Sequence, residues 1–171
     1  MAIDDLTAVV PPPTASGFDQ RAWQATEEWL GFSLPSDFKD FAQTYGTGTF
    51  CDGFLQVYCP SSSFELYREF VEYQAGVLQA HIDAGVRNIP FAPYPSCPGL
   101  LAWGADENGH RLHWLTAGAA NEWPVIAESH EGDFERFDVP VTSFLAQALR
   151  NGIRPSHIWH QPFEESELNF A

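Results

Sequence analysis

The sequence predicts an α+β domain in which a mainly antiparallel sheet packs with about four helices. The predicted elements follow in the order helix, helix, strands, helix, strands, helix, which lacks the strand–helix alternation of a parallel sheet. The strands come in pairs joined by turn-forming residues. A chain of 171 residues, 44% of them hydrophobic, is long enough for one buried core.

The first 16 residues are predicted to lie outside this core. Pro11-Pro12-Pro13 is followed by Thr14, Ala15 and Ser16, a composition that favours extended polyproline geometry over packing. We therefore divide the chain into a proline-containing arm (1–16), a globular domain (17–154) and an acidic and aromatic tail (155–171). The tail contains Ile158, Trp159 and Phe163, whose apolar surface favours partial docking on the domain, and carboxylates that would stay solvated; a free tail is the alternative.

Two helices open the domain. Asp19 is placed to cap a helix that runs to Leu30, and Gly31 suits the left-handed residue that ends it. Pro35 fits the first position of a second helix, with aromatic residues at helical spacing and Gly46 as its stop.

A hairpin and a third helix follow. Residues 49–51 and 54–58 flank Asp52-Gly53, a dipeptide that tolerates the positive φ angles of a tight turn. Ser63 can cap a helix whose apolar stripe ends before Gly85.

The second half contains two more strand pairs and a last helix. Residues 100–103 and 111–116 are apolar runs joined by the turn-like loop 105–109, and 123–127 and 134–137 form the next pair. Apolar residues recur at helical spacing from Val141 to Leu149, and Gly152 closes that helix.

The charge excludes two classes of partner. Against 23 Asp and Glu the chain has 8 Lys and Arg, so its formal charge is −15. Nucleic-acid binding draws most of its affinity from cations that neutralise phosphates, and anionic membranes require the same. We expect neither partner.

The composition also indicates the compartment. Residues 1–10 lack the basic segment of a secretion signal, and no apolar run approaches the ~20 residues that span a bilayer. Cys51, Cys59 and Cys97 are odd in number and lack CxxC spacing, so we expect reduced, buried thiols in a cytoplasmic protein.

The chemistry-bearing residues favour binding over catalysis. No GxSxG, P-loop or GxGxxG motif occurs, and neither a His nor a helix N-terminus lies beside a cysteine to activate it. His110 and His113 would point to opposite faces of a strand, and His157 with His160 supplies two metal ligands only. We expect no catalytic residue, no cofactor and no metal.

Acidic residues concentrate between Glu122 and Asp138, and this segment is predicted to face a protein partner. Trp123 would supply the aromatic anchor that often dominates interface energies, and the turn at 106–107 would extend the patch. The alternative is a solvated loop with Trp123 in the core. The predicted partner residues are Asp106, Glu107, Glu122, Trp123, Glu128, Glu131, Asp133 and Glu135.

Glu27 shares a helical face with Trp23 and Leu30, where an ionised carboxylate loses solvation. It needs hydrogen-bond donors, and we expect them to be backbone amides of the turn at residues 45–48. This makes Glu27 a structural clamp, with a catalytic acid as the competing interpretation.

These residues also form a recognisable pattern. The first half reads Trp23-x3-Glu27-x2-Leu30-Gly31-x2-Leu34-Pro35-x2-Phe38-Lys39-x-Phe41-x3-Tyr45-Gly46-x-Gly48. The second half adds Leu100-Leu101-x-Trp103-Gly104, Asp106-x2-Gly109-x2-Leu112-x-Trp114, Trp123-x-Val125 and Phe144-Leu145-x3-Leu149-x-Gly152-Ile153. Across about residues 18–154, the chain resembles the SUKH superfamily.

The resemblance implies a mixed sheet with packed helices and a non-catalytic role. Most bacterial members are immunity proteins that bind and block a toxin, often a nuclease or deaminase. Fungal relatives are regulatory scaffolds in cell-wall signalling, so the fold leaves both roles open. An acidic surface suits the first role, because carboxylates can occupy a basic cleft that holds phosphates, although many soluble proteins are acidic for solubility alone.

Overall fold

The computed structural model describes residues 2–86 and 88–171. The described residues form the helices α1 (Ala2–Thr7), α2 (Gln20–Leu30), α3 (Ser36–Thr44), α4 (Phe64–Ala84) and α5 (Val141–Leu149). The strands are β1 (Gly48–Phe50), β2 (Leu55–Val57), β3 (Leu100–Asp106), β4 (Arg111–Leu115), β5 (Val125–Glu128) and β6 (Phe134–Phe137). Within this part of the chain, no helix is long and apolar enough to cross a bilayer.

The six strands form one antiparallel sheet in the order β1-β2-β3-β4-β5-β6. This meander confirms the predicted α+β class. The register shifts between Ala102 and Gly104, where β3 carries an irregularity. A side chain at Gly104 would place its Cβ 3.0 Å from the Gln56 carbonyl oxygen, so β2 would have to move by a few tenths of an ångström to accommodate it.

Helices cover both faces of the sheet. Phe38 of α3 meets Trp114 of β4 edge to face, with ring centroids 4.6 Å apart, and α5 packs Phe144 against Trp103 on the same face. On the opposite face, Leu78 of α4 forms a second apolar cluster with sheet residues. The domain is therefore stabilised mainly by large apolar and aromatic side chains buried on both faces of the sheet.

The helix ends follow the sequence signals. The Asp19 carboxylate accepts a hydrogen bond from Arg21 N, and Gly31 ends α2 in the left-handed region with φ 79°. Pro35 is the N-cap of α3, one position before the predicted first turn. The Ser63 hydroxyl accepts from Leu66 N at the start of α4.

The amino-terminal segment differs from the predicted extended arm. Residues 2–7 form α1, which packs against α5, and both Leu6 and Val10 are fully buried. The Tyr45 hydroxyl donates a 2.6 Å hydrogen bond to the Val10 carbonyl. A helix of this length is marginal in isolation, so tertiary packing rather than local propensity determines it. Residues 11–13, the three consecutive prolines, belong to no helix or strand.

The cysteines are free thiols, with Cys51 and Cys59 buried as predicted. Cys97 is exposed, which corrects the expectation that all three are buried. It lies in the proline-rich connection between α4 and β3, a surface segment in which its Sγ donates to the Thr116 carbonyl at 3.3 Å.

The tail docks on the domain. Ile158 and Trp159 are buried, and the Phe170 ring packs 4.8 Å from Phe50 and 5.0 Å from Tyr45. Backbone hydrogen bonds between Thr49 and Ala171 extend the pairing beyond the edge of β1. The tail therefore contributes directly to the core.

Candidate functional site

Three turns meet at one end of the sheet, because alternate connections of an antiparallel meander lie on the same side. They are the β1–β2 turn (51–54), the β3–β4 turn (106–110) and the β5–β6 turn (129–133), which we call the turn end. Glu107 N donates to the Phe54 carbonyl at 3.1 Å, and His130 N donates to His110 Nδ1 at 3.0 Å. These bonds fix the three turns as one surface.

The tail crosses this surface. The indole Nε1 of Trp159 donates to Asp106 Oδ2 at 2.8 Å, and Ser156 N donates to Glu135 Oε2 at 2.5 Å. His157 Nδ1 lies 3.7 Å from the Asp133 carboxylate. The turn end therefore combines elements from both halves of the domain with the tail.

Asp106 organises the β3–β4 turn. Its Oδ1 accepts from the backbone amides of Asn108 and His110, at 2.9 and 3.0 Å, while Oδ2 accepts from Trp159. The side chain is buried, and both of its oxygens are occupied by hydrogen bonds within the chain. Asp106 is a structural residue, which corrects its prediction as a partner contact.

The prediction of Glu128 as a partner contact is also wrong. It is fully buried, with Oε1 accepting from Arg111 Nη1 at 3.2 Å and Oε2 lying 2.8 Å from His113 Nε2. The sequence of β5 gives no alternation that would indicate this, because all four residues of the strand are buried. The Glu128 carboxylate therefore balances the charge of Arg111 inside the domain, and it is not available to a partner.

Trp123 is a core residue, as the alternative interpretation held. It is buried, its indole donates to the Gly118 carbonyl at 3.2 Å, and it meets Phe32 edge to face at 5.3 Å. Glu122 beside it is exposed, but it lies in the β4–β5 connection at the opposite end of the sheet.

The remaining predicted carboxylates lie at or near the turn end. Glu107, Glu131 and Asp133 are exposed on the turns, whereas half-buried Glu135 on β6 holds the tail through Ser156. The structure adds two exposed carboxylates that the sequence reasoning missed, Asp52 on the β1–β2 turn and Glu167 on the tail. Asp52 and Glu167 are far apart in the sequence. They share the turn end only because the tail docks and brings Glu167 to it.

A cavity of about 410 Å³ opens at the turn end between the turns and the tail. We call it the tail pocket. Its lining residues are Cys51, Phe54, Asn108, His110, Trp159, His160, Gln161, Pro162, Phe163 and Glu167. The apolar residues of the tail were the only sequence signal for it, since they indicated a surface that could dock.

Histidines gather around the same end. Burial lowers the pKa of His110, and the neighbouring His130 and His160 act in the same direction, against the opposing charges of Asp106 and Glu131. A neutral imidazole at His110 agrees with Nδ1 accepting from His130 N. The described residues contain no group of three or more side chains arranged to hold a metal ion.

Most of the predicted structural residues are buried or lie at turns. Trp23, Leu30, Leu34, Pro35, Tyr45, Trp103 and Trp114 are buried, and Gly31, Gly46 and Gly104 occupy turns or close backbone approaches. Gly46 has φ 79°, and a Cβ there would clash with the Ser16 carbonyl.

Glu27 is a clamp, but its partner differs from the prediction. Its Oε1 accepts from Leu34 N at 2.9 Å, not from the turn at residues 45–48. The chain reverses between α2 and α3, so the amide at the end of this short connection approaches the last turn of α2. In the 45–48 turn, the Thr47 hydroxyl instead donates to the Cys59 carbonyl at 2.7 Å.

Comparison with known protein families gives a match over most of the chain. The family SUKH_6, described as SMI1-KNR4 cell-wall, matches residues 20–145. No curated protein and no solved structure matches the chain. The matched range contains all six strands and ends within α5, so the tail and its side of the tail pocket lie beyond it.

Proposed function

The chain belongs to the SUKH family, and from this we propose that it is a non-catalytic immunity protein that blocks a basic toxin. Family membership supports a protein-binding role of the immunity or cell-wall-regulator kind. The observation that carries the immunity proposal is the group of exposed carboxylates at the turn end. They are Asp52, Glu107, Glu131, Asp133 and Glu167.

Nearby cations do little to cancel this charge. Arg111 on β4 is held by buried Glu128 at 3.2 Å, and Arg136 on β6 is paired with Asp138 at 2.6 Å. The carboxylates on the turns therefore retain most of their field toward solvent.

Such a surface suits a partner with a basic cleft, of the nuclease or deaminase type. Complementary charge speeds the encounter, and occlusion of the cleft by the turn end then excludes the substrate of the toxin. Rapid association matters for an immunity protein, because a small number of free toxin molecules damages the cell. The mechanism requires stoichiometric binding and no covalent step.

The buried acids support a non-catalytic role. A general acid or base needs a carboxylate or imidazole free to exchange a proton with a bound substrate. Asp106 is occupied by three donors, and Glu128 by Arg111 and His113. Both are committed to the fold.

The second candidate is a regulatory adaptor that binds a cellular partner unrelated to toxins. The description of the matched family as SMI1-KNR4 cell-wall favours it. The neighbouring genes discriminate the two roles, because a multidomain toxin gene beside this one is expected only for an immunity protein.

The test co-expresses the protein with the toxin domain encoded nearest its gene, and measures cell survival together with binding kinetics at low and high salt. We expect rescue and an association rate that falls as salt increases. Failure of both rescue and binding would reject that toxin and favour the adaptor.

A charge-reversal pair locates the surface. Glu107→Lys with Glu131→Lys should slow association roughly tenfold, because these side chains steer a basic partner. The matched control reverses Glu28 on α2 and Glu69 on α4, which are also exposed. Equal effects of the two pairs would show that net charge alone acts, and would remove the turn end from the proposal.

A further inference from the structure

We propose that the tail pocket receives an arginine side chain of the partner protein, an inference that rests on the proposed function and specifies its anchor. The pocket has the volume, the aromatic walls and the negative charge for a guanidinium group. Its outer wall comes from residues 159–167, beyond the family match at residue 145. The anchor site is thus a feature that the tail of this chain adds to the shared fold.

Two walls from distant parts of the chain form the cavity. The inner wall is built by the β1–β2 and β3–β4 turns, through Phe54, Asn108 and His110. The outer wall is the tail, in which Trp159 and Phe163 meet edge to face with ring centroids 5.4 Å apart. Phe54 of the inner wall meets Phe163 edge to face at 6.1 Å, so the two walls are in contact beside the cavity. The hydrogen bond between Trp159 and Asp106 fixes the outer wall against the inner one.

The charge around the cavity selects a cation. The carboxylate of Glu167 lines the cavity, and Asp52 is exposed beside the lining residue Cys51. Burial raises the pKa of the Cys51 thiol to about 11, and the charges of Glu167 and Asp52 contribute in the same direction. Both carboxylates are therefore close enough to act on the charge of a group beside Cys51, and they would stabilise a cation bound in the cavity.

The aromatic walls favour arginine over lysine. A guanidinium group is flat and weakly hydrated, so it stacks on aromatic rings while its forked N–H groups remain available to acceptors. Phe54 and Phe163 supply half-buried rings, and Glu167 supplies the acceptor. The compact ammonium of lysine is more strongly hydrated and would gain less from the same walls.

The surroundings favour an arginine within a protein over a free amino acid. Free arginine carries an α-carboxylate and an α-ammonium group whose charges cancel, so apart from its side chain it offers the acidic turns no net positive charge. An arginine within a polypeptide lacks the free α-carboxylate, and the acidic turns would contact basic residues that flank it in the partner. A buried arginine surrounded by peripheral charge pairs is a common arrangement of interface hot spots.

The test uses the full chain and the tripeptide acetyl-Gly-Arg-Gly-amide, with binding followed by nuclear magnetic resonance. We expect the tripeptide to shift the Trp159 indole signal, and the citrulline analogue, which is neutral and of the same shape, to produce little shift. Glu167→Gln should weaken tripeptide binding roughly tenfold, because it removes the charge-assisted hydrogen bond. This variant keeps an acceptor oxygen for Glu164 N, which donates to Glu167 Oε2 at 3.4 Å.

Glu165→Gln is the matched control, since it makes the same change on the same turn but does not line the cavity. Equal binding of arginine and citrulline, shifts outside the cavity, or equal effects of the two variants would each overturn the proposal. Tighter binding of free arginine than of the tripeptide would identify a small-molecule site and overturn the protein source.

Binding to the toxin separates this inference from the proposed function. A toxin that binds tightly and is unaffected by Glu167→Gln contradicts the arginine anchor but leaves the immunity role intact. Tripeptide binding by a protein that fails to bind or neutralise the toxin contradicts the immunity role and supports the chemistry of the pocket.

Discussion

The indole Nε1 of Trp159 donates a 2.8 Å hydrogen bond to Asp106 Oδ2, joining residues 53 positions apart. Asp106 also accepts from two amides of its own turn, so one buried carboxylate holds both the β3–β4 turn and the tail. The geometry of the turn end and the docking of the tail therefore depend on the same side chain.

Trp159→Phe is expected to lower the free energy of unfolding by about 1–3 kcal/mol, because it leaves a buried carboxylate oxygen without its donor. Most of the aromatic packing remains, so the variant should still fold. Urea denaturation followed by circular dichroism measures the change.

Trp103→Phe is the comparison, because Trp103 Nε1 is buried and has no hydrogen-bond partner among the described residues. It loses packing but no hydrogen bond. Limited proteolysis should cleave the tail faster in Trp159→Phe than in Trp103→Phe. Equal cleavage would mean that the Trp159 hydrogen bond does not hold the tail.

Glu27 and Leu34 provide a test of the α2–α3 clamp. Glu27→Ala leaves the Leu34 amide without its acceptor and should destabilise the domain by about 1–3 kcal/mol. Glu27→Gln retains an acceptor oxygen and should have a much smaller effect. Thermal unfolding of the two variants distinguishes a hydrogen-bonding role from a role of the charge, which both substitutions remove equally.

The buried and exposed acids should respond differently to substitution. Glu128→Ala leaves Arg111 and His113 without their carboxylate, and we expect a loss of about 3 kcal/mol in stability. Glu131→Ala on the exposed turn should change stability by less than about 0.5 kcal/mol. Comparable denaturation midpoints for the two variants would contradict the assignment of Glu128 to the fold.

The lowered pKa of His110 predicts that the protein loses stability in mild acid. Burial lowers its pKa from 6.5, assisted by His130 and His160 and opposed by Asp106 and Glu131. The unfolded chain therefore takes up a proton at a higher pH than the folded protein. The stabilising contribution is complete above about pH 6.5 and is lost as the pH falls through the folded-state pKa.

The measurement is the free energy of unfolding at pH 7.5 and at mildly acidic pH, for the wild type and for His110→Asn. The variant should lose less stability on acidification, because it lacks the titrating imidazole. His81→Asn on α4 is the control and should behave as the wild type. A larger acid loss in His110→Asn than in the wild type would contradict the assignment.

Local signals in the sequence predicted the helices and strands well, because each depends on near neighbours. Asp19, Gly31 and Ser63 act as caps through bonds to residues a few positions away. The apolar runs and the turn-forming residues between them likewise identified the strand pairs. The family pattern likewise consists of short local motifs, such as Trp23-x3-Glu27-x2-Leu30-Gly31, that can be read without knowledge of any tertiary contact.

Only the tertiary structure decided which acidic residues are exposed on the surface and which are buried within the fold. Glu128 and Glu131 look alike in sequence, yet one is fully buried against Arg111 and the other is exposed on a turn. The difference depends on the register of β4 against β5, which brings Arg111 opposite Glu128. Pairing between strands is a long-range property that composition cannot show.

The positions of the two ends of the chain depend on long-range contacts in the same way. The sequence by itself determined an acidic α+β domain of the SUKH family, since charge, periodicity and caps are local. Only the tertiary structure decided that α1 joins the core and that the tail completes a pocket. Docking of these segments depends on apolar surfaces that arise once the sheet and helices have assembled.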